Sequence, residues 1–183
     1  MDAASKLFAT EGYASTSMRK IASKIGYSPT AIYLYFRDKD DLLRQICDAI
    51  FAELTRNINS INRLSGEPLE KLRLGLNEYI QFGLRHPLHY QVLFGMALPA
   101  SAGQHQDNRS EGSRAFDTLR TGVAACVAAN LLRTDDIELL SQSLWAGVHG
   151  VTSLLNTHPG FPWGERDSLI AAHLDMLILG VRA

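Results

Sequence analysis

The side chains with the clearest chemical use lie between Thr16 and Lys39. Thr16, Ser17, Ser28 and Thr30 bring hydroxyls, Tyr33 and Tyr35 bring phenols, Arg19 and Lys39 bring cations, and Ala31 brings a bare methyl. Such a set suits a nucleic-acid duplex. Cations and hydroxyls hold phosphates, and small side chains approach base edges or the thymine methyl. Charge agrees with that use: residues 17–39 carry five Lys and Arg against the single Asp38, whereas the whole 183-residue chain has a formal charge of -1. The basic surface is local, because a pI near 6.6 gives no general attraction to nucleic acid.

Other chemistries find less support. His86-x-x-His89 has the spacing of a metal pair on one helix face, but no third ligand stands nearby and Pro87 falls between the two, so no metal and no cofactor are expected. The chain has no Gly-x-Ser-x-Gly elbow, no phosphate-cradling Gly-x-x-x-x-Gly-Lys loop, no Gly-x-Gly-x-x-Gly fingerprint and no His-Glu-x-x-His helix, so it does not read as an enzyme. Its two cysteines, Cys47 and Cys126, are far apart within apolar helical patterns, which fits a reduced, cytoplasmic chain. No stretch approaches the ~20 apolar residues of a membrane span, and no membrane partner is expected.

The elements that must position these groups are helical throughout. Apolar residues recur at spacings of three and four, and no segment alternates as a strand would, so the fold class is all-α. A first helix holds Ala4, Leu7 and Phe8 and stops at Gly12. Thr16 or Ser17 caps a second, with Met18, Ile21, Ala22 and Ile25 on one face, halted at Gly26; Ser28 caps a third, with Pro29 at its first position. Helices two and three, each expected to be about two turns long and joined by Gly26-Tyr27, have helix-turn-helix spacing. The third is the recognition helix, buried through Ile32 and Phe36. Asp38 caps a long fourth helix whose stripe runs Leu42, Ile46, Ile50, Leu54, Ile58 and Ile61 before Ser65-Gly66-Glu67-Pro68 breaks it. Further helices are expected at 69–86, 87–94, 114–132, 135–156 and 167–182, with a polar loop at 99–113.

The residues of the first segment carry a resemblance. The run Gly12-Tyr13, Thr16-Ser17-Met18-Arg19-Lys20-Ile21-Ala22, Ile25-Gly26, Ser28-Pro29-Thr30-Ala31-Ile32-Tyr33-Leu34-Tyr35-Phe36 and Lys39-Asp40-Asp41-Leu42-Leu43 resembles the N-terminal signature of the tetracycline-repressor family over about the first 45 residues. The resemblance implies a DNA-binding transcriptional regulator with a helix-turn-helix domain at 1–45, including the start of helix four, and a regulatory, ligand-binding and dimerisation domain at 46–183. It also implies that Thr16, Ser17, Arg19, Ser28, Thr30, Ala31, Tyr33, Tyr35 and Lys39 occupy positions that commonly contact double-stranded operator DNA. Trp145-Ala146-Gly147-Val148-His149-Gly150 resembles the Trp-x-x-x-His-Gly motif of one regulatory-domain subgroup.

Two further sets follow for the regulatory half. Leu140, Leu144, Val148, Val151 and Leu155, with Leu174, Leu177, Ile178 and Val181, are more apolar surface than two terminal helices usually bury alone, and are expected to pair with a second copy as a four-helix bundle. Tyr79, Phe82, His86, Tyr90, Phe94, Met96, Phe116, Trp145 and His149 supply aromatic surface with a few polar tips, as a small-molecule effector site does. The expected mechanism is repression of a palindromic operator by a homodimer, released when an effector shifts helix four and changes the separation of the two heads. The alternative is a ligand-independent dimeric DNA-binding or scaffold protein.

Overall fold

Local chemistry sets where each helix starts and stops. The computed structural model describes residues 2–95, 110–133 and 136–183, and these form an all-α chain. Among the described residues the helices are α1 (Asp2–Glu11), α2 (Met18–Lys24), α3 (Pro29–Ile32), α4 (Lys39–Asn62), α5 (Pro68–Arg85), α6 (Pro87–Phe94), α7 (Glu111–Ala128), α8 (Ile137–Thr157) and α9 (Arg166–Val181). Extended pairing is limited there to one antiparallel bridge between Leu132 and Arg182. No described helix is long and apolar enough to cross a membrane.

Ser17 caps α2 by accepting from the Lys20 N–H at 3.2 Å, and Ser28 caps α3 by accepting from the Ala31 N–H at 3.1 Å. Between them α2 ends in a left-handed turn. Gly26, at φ 74°, lets the Tyr27 N–H reach back to the Ala22 carbonyl at 2.9 Å while its own N–H bonds Ser23 at 3.2 Å. At α4, Asp38 accepts from the Asp41 N–H at 2.8 Å, and Asp41 in turn accepts from the Arg37 N–H at 3.0 Å. This reciprocal pair is a variant of the capping box. Asp136 and Glu165 cap α8 and α9 in the same way as Ser17 and Ser28 cap their helices.

Two elements differ from the sequence-based expectation. The recognition helix keeps α-helical form only over Pro29–Ile32. Its rotation continues as turn, through bonds from Leu34 N–H to Ala31, Tyr35 N–H to Ile32 and Phe36 N–H to Ile32 of 3.3, 3.2 and 3.1 Å. The β-branched and aromatic residues of this segment favour helix weakly, and only Ile32 is fully buried to hold them. Second, α7 begins at Glu111, three residues before its expected start, because Ser110 accepts from the Ser113 N–H at 3.1 Å and caps it. The rest of the expected 99–113 loop lies outside the described residues.

The chain divides into two compact units, residues 1–53 with 86–114, and residues 54–85 with 115–183. In the first, Phe8, Ile21, Ala22, Ile32, Leu42, Leu43, Ile46, Ile50 and Val92 are buried. Helix α6 belongs to this unit: Gln91 Nε2–H donates to the Ala9 carbonyl at 2.9 Å, and Phe94 meets Phe51 edge to face at 6.1 Å.

The second unit is built on α5, α8 and α9 around Leu72, Leu76, Ile80, Val123, Cys126, Leu132 and Ile170. The stripe expected to form a dimer surface lies inside it. Leu140, Leu144, Val148, Val151, Leu174 and Ile178 are buried in this core, and Leu155, Leu177 and Val181 pack against it. At ~2 kcal/mol per buried aliphatic side chain, this packing stabilises the unit's own core. At Gly147 an added Cβ would stand 2.8 Å from a Leu177 methyl, so glycine lets α8 and α9 approach. Burial pushes both thiols, Cys47 and Cys126, up to about 11, which makes them packing residues rather than nucleophiles.

Candidate nucleic-acid interface and effector site

On α3 the anchor is Ile32, and a rotation of about 100° per residue assigns its neighbours. Phe36 falls on the side of Ile32, Thr30 and Leu34 on the side away from it, Ala31 and Tyr33 on the two flanks, and Tyr35 between Ala31 and the buried side. Thr30, Tyr33, Leu34 and Tyr35 are all exposed, Ala31 is half-buried, and Ser28 stands exposed at the cap. Arg19 is exposed on the first turn of α2 and pairs with no carboxylate among the described residues, while Lys20 pairs with Glu11. Arg37 projects into solvent with only a 3.9 Å approach to Asp41.

Two expected contacts have other partners. Thr16 is 1% exposed, and its hydroxyl donates to the Gly12 carbonyl at 2.9 Å. Its side chain holds the turn between α1 and α2 and has no free surface. Lys39 reaches back to the same turn, donating to the carbonyls of Tyr13 at 2.8 Å and Thr16 at 2.9 Å, with its ammonium 4.0 Å from the centre of the Tyr13 ring. Two of its three N–H groups are thereby engaged. The spacing of Thr16 and Lys39 reads as phosphate chemistry; Thr16 is instead held by the turn it belongs to, and only the fold brings Lys39 against that turn.

The effector set is divided. Tyr79, Phe82, Phe116, Trp145 and His149 lie in the second unit, His86, Tyr90 and Phe94 in the first, and Met96 outside the described residues. Four of them come together: Trp145 Nε1–H donates to the Tyr79 hydroxyl oxygen at 3.2 Å, Tyr79 Oη lies 3.2 Å from His149 Nδ1, and the Trp145 ring is 6.0 Å from both Phe116 and His149. Burial lowers the pKa of His149, which favours its neutral form. In the first unit Tyr90 and Phe94 pack at 4.9 Å and join Phe51, and His86 stacks on His89 at 5.5 Å. Phe82 is buried. No group of three or more metal-ligating side chains occurs among the described residues.

Sequence reasoning passed over four residues. Leu34, Tyr27 and Arg37 are exposed on the helix-turn-helix, and Phe51 completes the aromatic cluster of the first unit. Leu34 was accessible to the rotation argument, since it lies two residues from the buried Ile32. Phe51 was not, because its partner is remote in sequence.

Comparison with known proteins agrees with the geometry. The pattern described as bacterial regulatory proteins, tetR family, matches residues 1–46, and that described as tetracyclin repressor-like, C-terminal domain, matches residues 72–177. The Trp145–Gly150 motif lies inside the second match, whose description names no Trp-His-Gly subgroup. The HTH-type transcriptional regulator AcrR of Shigella flexneri is 27% identical over 143 residues, which are 74% of this chain and 66% of that protein. The nucleoid occlusion factor SlmA of Pectobacterium carotovorum is 26% identical over 182 residues, 94% of this chain and 90% of that one. Among solved structures, FadR of Bacillus subtilis in complex with stearoyl-CoA superposes with a TM-score of 0.84 at 18% identity, over 98% of this chain and 96% of that one. The regulator PfmR of Thermus thermophilus gives 0.76 at 18% identity, over 97% and 96%. With a helix-turn-helix whose recognition side chains face outward and with both halves matched, the chain belongs to the tetR family and is a transcriptional regulator with an N-terminal DNA-binding domain and a tetracycline-repressor-like C-terminal domain.

Proposed function

We propose that this regulator is a ligand-responsive repressor that holds a palindromic operator as a homodimer and leaves it when a small molecule binds its C-terminal unit. The observation that carries the reading is the recognition segment: it is anchored by the buried Ile32 and exposes Thr30, Tyr33, Leu34 and Tyr35. So large an apolar and aromatic surface is costly in water unless a partner covers it. In the proposed complex Arg19, Ser17 and the remaining N–H of Lys39 hold phosphates, Ser28, Thr30 and Ala31 meet base edges, and the phenols of Tyr33 and Tyr35 grip the backbone on either side. Thr16 serves by positioning Lys39.

The proposed dimer surface is the outward face of α8 and α9, opposite the stripe first expected. It carries Leu139, Ala146 and Leu154 on α8 and Ala172, Met176 and Leu179 on α9, all exposed and uncharged. The proposed effector site is the Tyr79, Phe116, Trp145 and His149 cluster, aromatic with few polar tips. Fatty acids and acyl-CoA thioesters are the first class to assay, given the stearoyl-CoA held by the FadR structure. Helix α4 begins at Lys39 in the first unit and ends in the second, so a small tilt alters half-site spacing. A preference of ~3 kcal/mol for the wrong spacing lowers operator affinity about a hundredfold.

The nucleoid occlusion factors among the relatives keep one second reading in view, a ligand-independent dimeric DNA-binding or scaffold protein. A fluorescence-anisotropy titration against duplex DNA from upstream of the gene, at two salt concentrations with and without acyl-CoA, separates the two. Salt-sensitive binding released by acyl-CoA is expected. Binding indifferent to every effector supports the second reading, and equal weak binding to a scrambled duplex counts against both.

A further inference from the structure

We propose that Leu34, together with Ala31 and Thr30, forms a methyl-reading ridge that selects thymine-bearing base pairs in the major groove. The proposal deepens the operator-binding reading above and rests on it.

Three observations converge on the ridge. First, Leu34 is 79% exposed, the most exposed large hydrophobic side chain among the described residues. It stands on the wheel opposite Ile32, which is 3% exposed. The Leu34 N–H bonds the Ala31 carbonyl at 3.3 Å, which keeps the half-buried Ala31 one turn away on the neighbouring side of the ridge. Second, the segment Ser28-Pro29-Thr30-Ala31-Ile32-Tyr33-Leu34-Tyr35-Phe36 contains no Arg, Lys, Asn, Gln, Asp or Glu. The long side chains that pair bidentately with guanine or adenine, and the carboxylates that accept from cytosine, are therefore missing from it, leaving only the short hydroxyls of Ser28 and Thr30 for hydrogen bonds to base edges. The thymine C5-methyl is the one apolar group on the major-groove edge of the four bases, and it is what a ridge of methyls recognises.

Third, the polar and charged groups stand to the sides. Tyr33 and Tyr35 flank the ridge on the wheel, and Arg19 and Arg37 lie outside the segment, both exposed. Cations and phenols then supply affinity for the backbone, while the ridge supplies selectivity. Burying a leucine side chain against a base edge also removes the cost of holding it in water.

The test begins by enriching a duplex from a randomised pool with the full-length chain, then resynthesising it with deoxyuridine in place of every thymidine, which deletes only the C5-methyls. The wild type is expected to bind the uracil duplex about threefold to tenfold more weakly at fixed salt, the effect of losing one or two apolar methyl contacts per half-site. Leu34→Ala is expected to bind the thymine duplex more weakly and to discriminate the two duplexes by less than about twofold on the same basis. Leu34 is exposed, so this variant keeps its fold, checked by circular dichroism. Leu64→Ala, an exposed leucine beyond α4, is the control and keeps full discrimination. Equal affinity of the wild type for both duplexes, or full discrimination by Leu34→Ala, overturns the ridge while leaving the operator reading intact. Failure of the folded chain to enrich any sequence overturns both.

Discussion

The ammonium of Lys39 stands 4.0 Å from the centre of the Tyr13 ring and donates to the carbonyl of the same residue at 2.8 Å. With a second bond to Thr16, the first turn of α4 is pinned to the α1–α2 turn. Lys39→Ala should therefore lower unfolding stability by about 2–3 kcal/mol through lost charge-assisted bonds and cation–π contact. It should also flatten the salt dependence of DNA binding by about one phosphate per half-site. Urea denaturation and anisotropy separate the effects; lost stability with an unaltered slope makes Lys39 a scaffold residue alone.

Thr16→Val keeps the shape of the side chain and deletes the hydroxyl that donates to the Gly12 carbonyl. A cost of about 1–3 kcal/mol in stability is expected, with DNA affinity unchanged at temperatures where the variant is folded. A folded Thr16→Val protein with normal stability and weak DNA binding would return Thr16 to the contact set.

Asp41 gives the head a pH dependence with a definite sign. The backbone N–H of Arg37 lowers its pKa most, outweighing burial, with Gln45 and Arg44 adding to it. The folded carboxylate thus titrates below the unfolded one. Its contribution is fully present above the ordinary carboxylate range, about pH 4, and is lost as pH falls through the folded pKa. Asp41→Asn should remove this part of the acid destabilisation, seen as a flatter stability profile in urea titrations between about pH 3 and 5. An identical slope in the variant would exclude Asp41 as the source.

Leu144 and Ala146 lie two residues apart on α8 and face opposite ways. Leu144→Ala should cost about 2–5 kcal/mol of stability with the oligomeric state unchanged at concentrations where the chain is folded. Ala146→Glu should leave the unit's own core intact and shift sedimentation from dimer to monomer. A dimeric Ala146→Glu protein moves the interface elsewhere.

Tyr79 Oη bridges Trp145 and His149. In a Trp163→Phe background, where Trp145 is the single tryptophan, acyl-CoA addition should change the fluorescence. Tyr79→Phe should then raise the apparent Kd about fivefold to tenfold, the worth of one hydrogen bond. A fluorescence signal that never responds removes this cluster from the effector site.

Much of the head was legible because its rules are local. Ser17, Gly26, Ser28 and Asp38 act on backbone groups within five residues, so caps and turns can be read in order along the chain. The side chain of Thr16 escaped that reading because its hydroxyl turns back to the Gly12 carbonyl that closes α1 rather than forward onto α2. The periodicity of α8 correctly identified Leu140, Leu144, Val148 and Val151 as one apolar face. Periodicity assigns a face and not its neighbour, and within the chain that face packs in one core with Leu72, Leu76, Ile80 and Val123.

The sequence by itself determined the all-helical class, the helix-turn-helix and the side chains of the recognition segment, since helix signals and capping act over three to five residues. The tertiary structure alone decided that Lys39 is pinned to Tyr13, that α6 packs with the head through Gln91 and Phe94, and that the outward faces of α8 and α9 are those left uncovered. These are choices of partner between segments tens of residues apart. Packing complementarity settles them, and no local propensity encodes it.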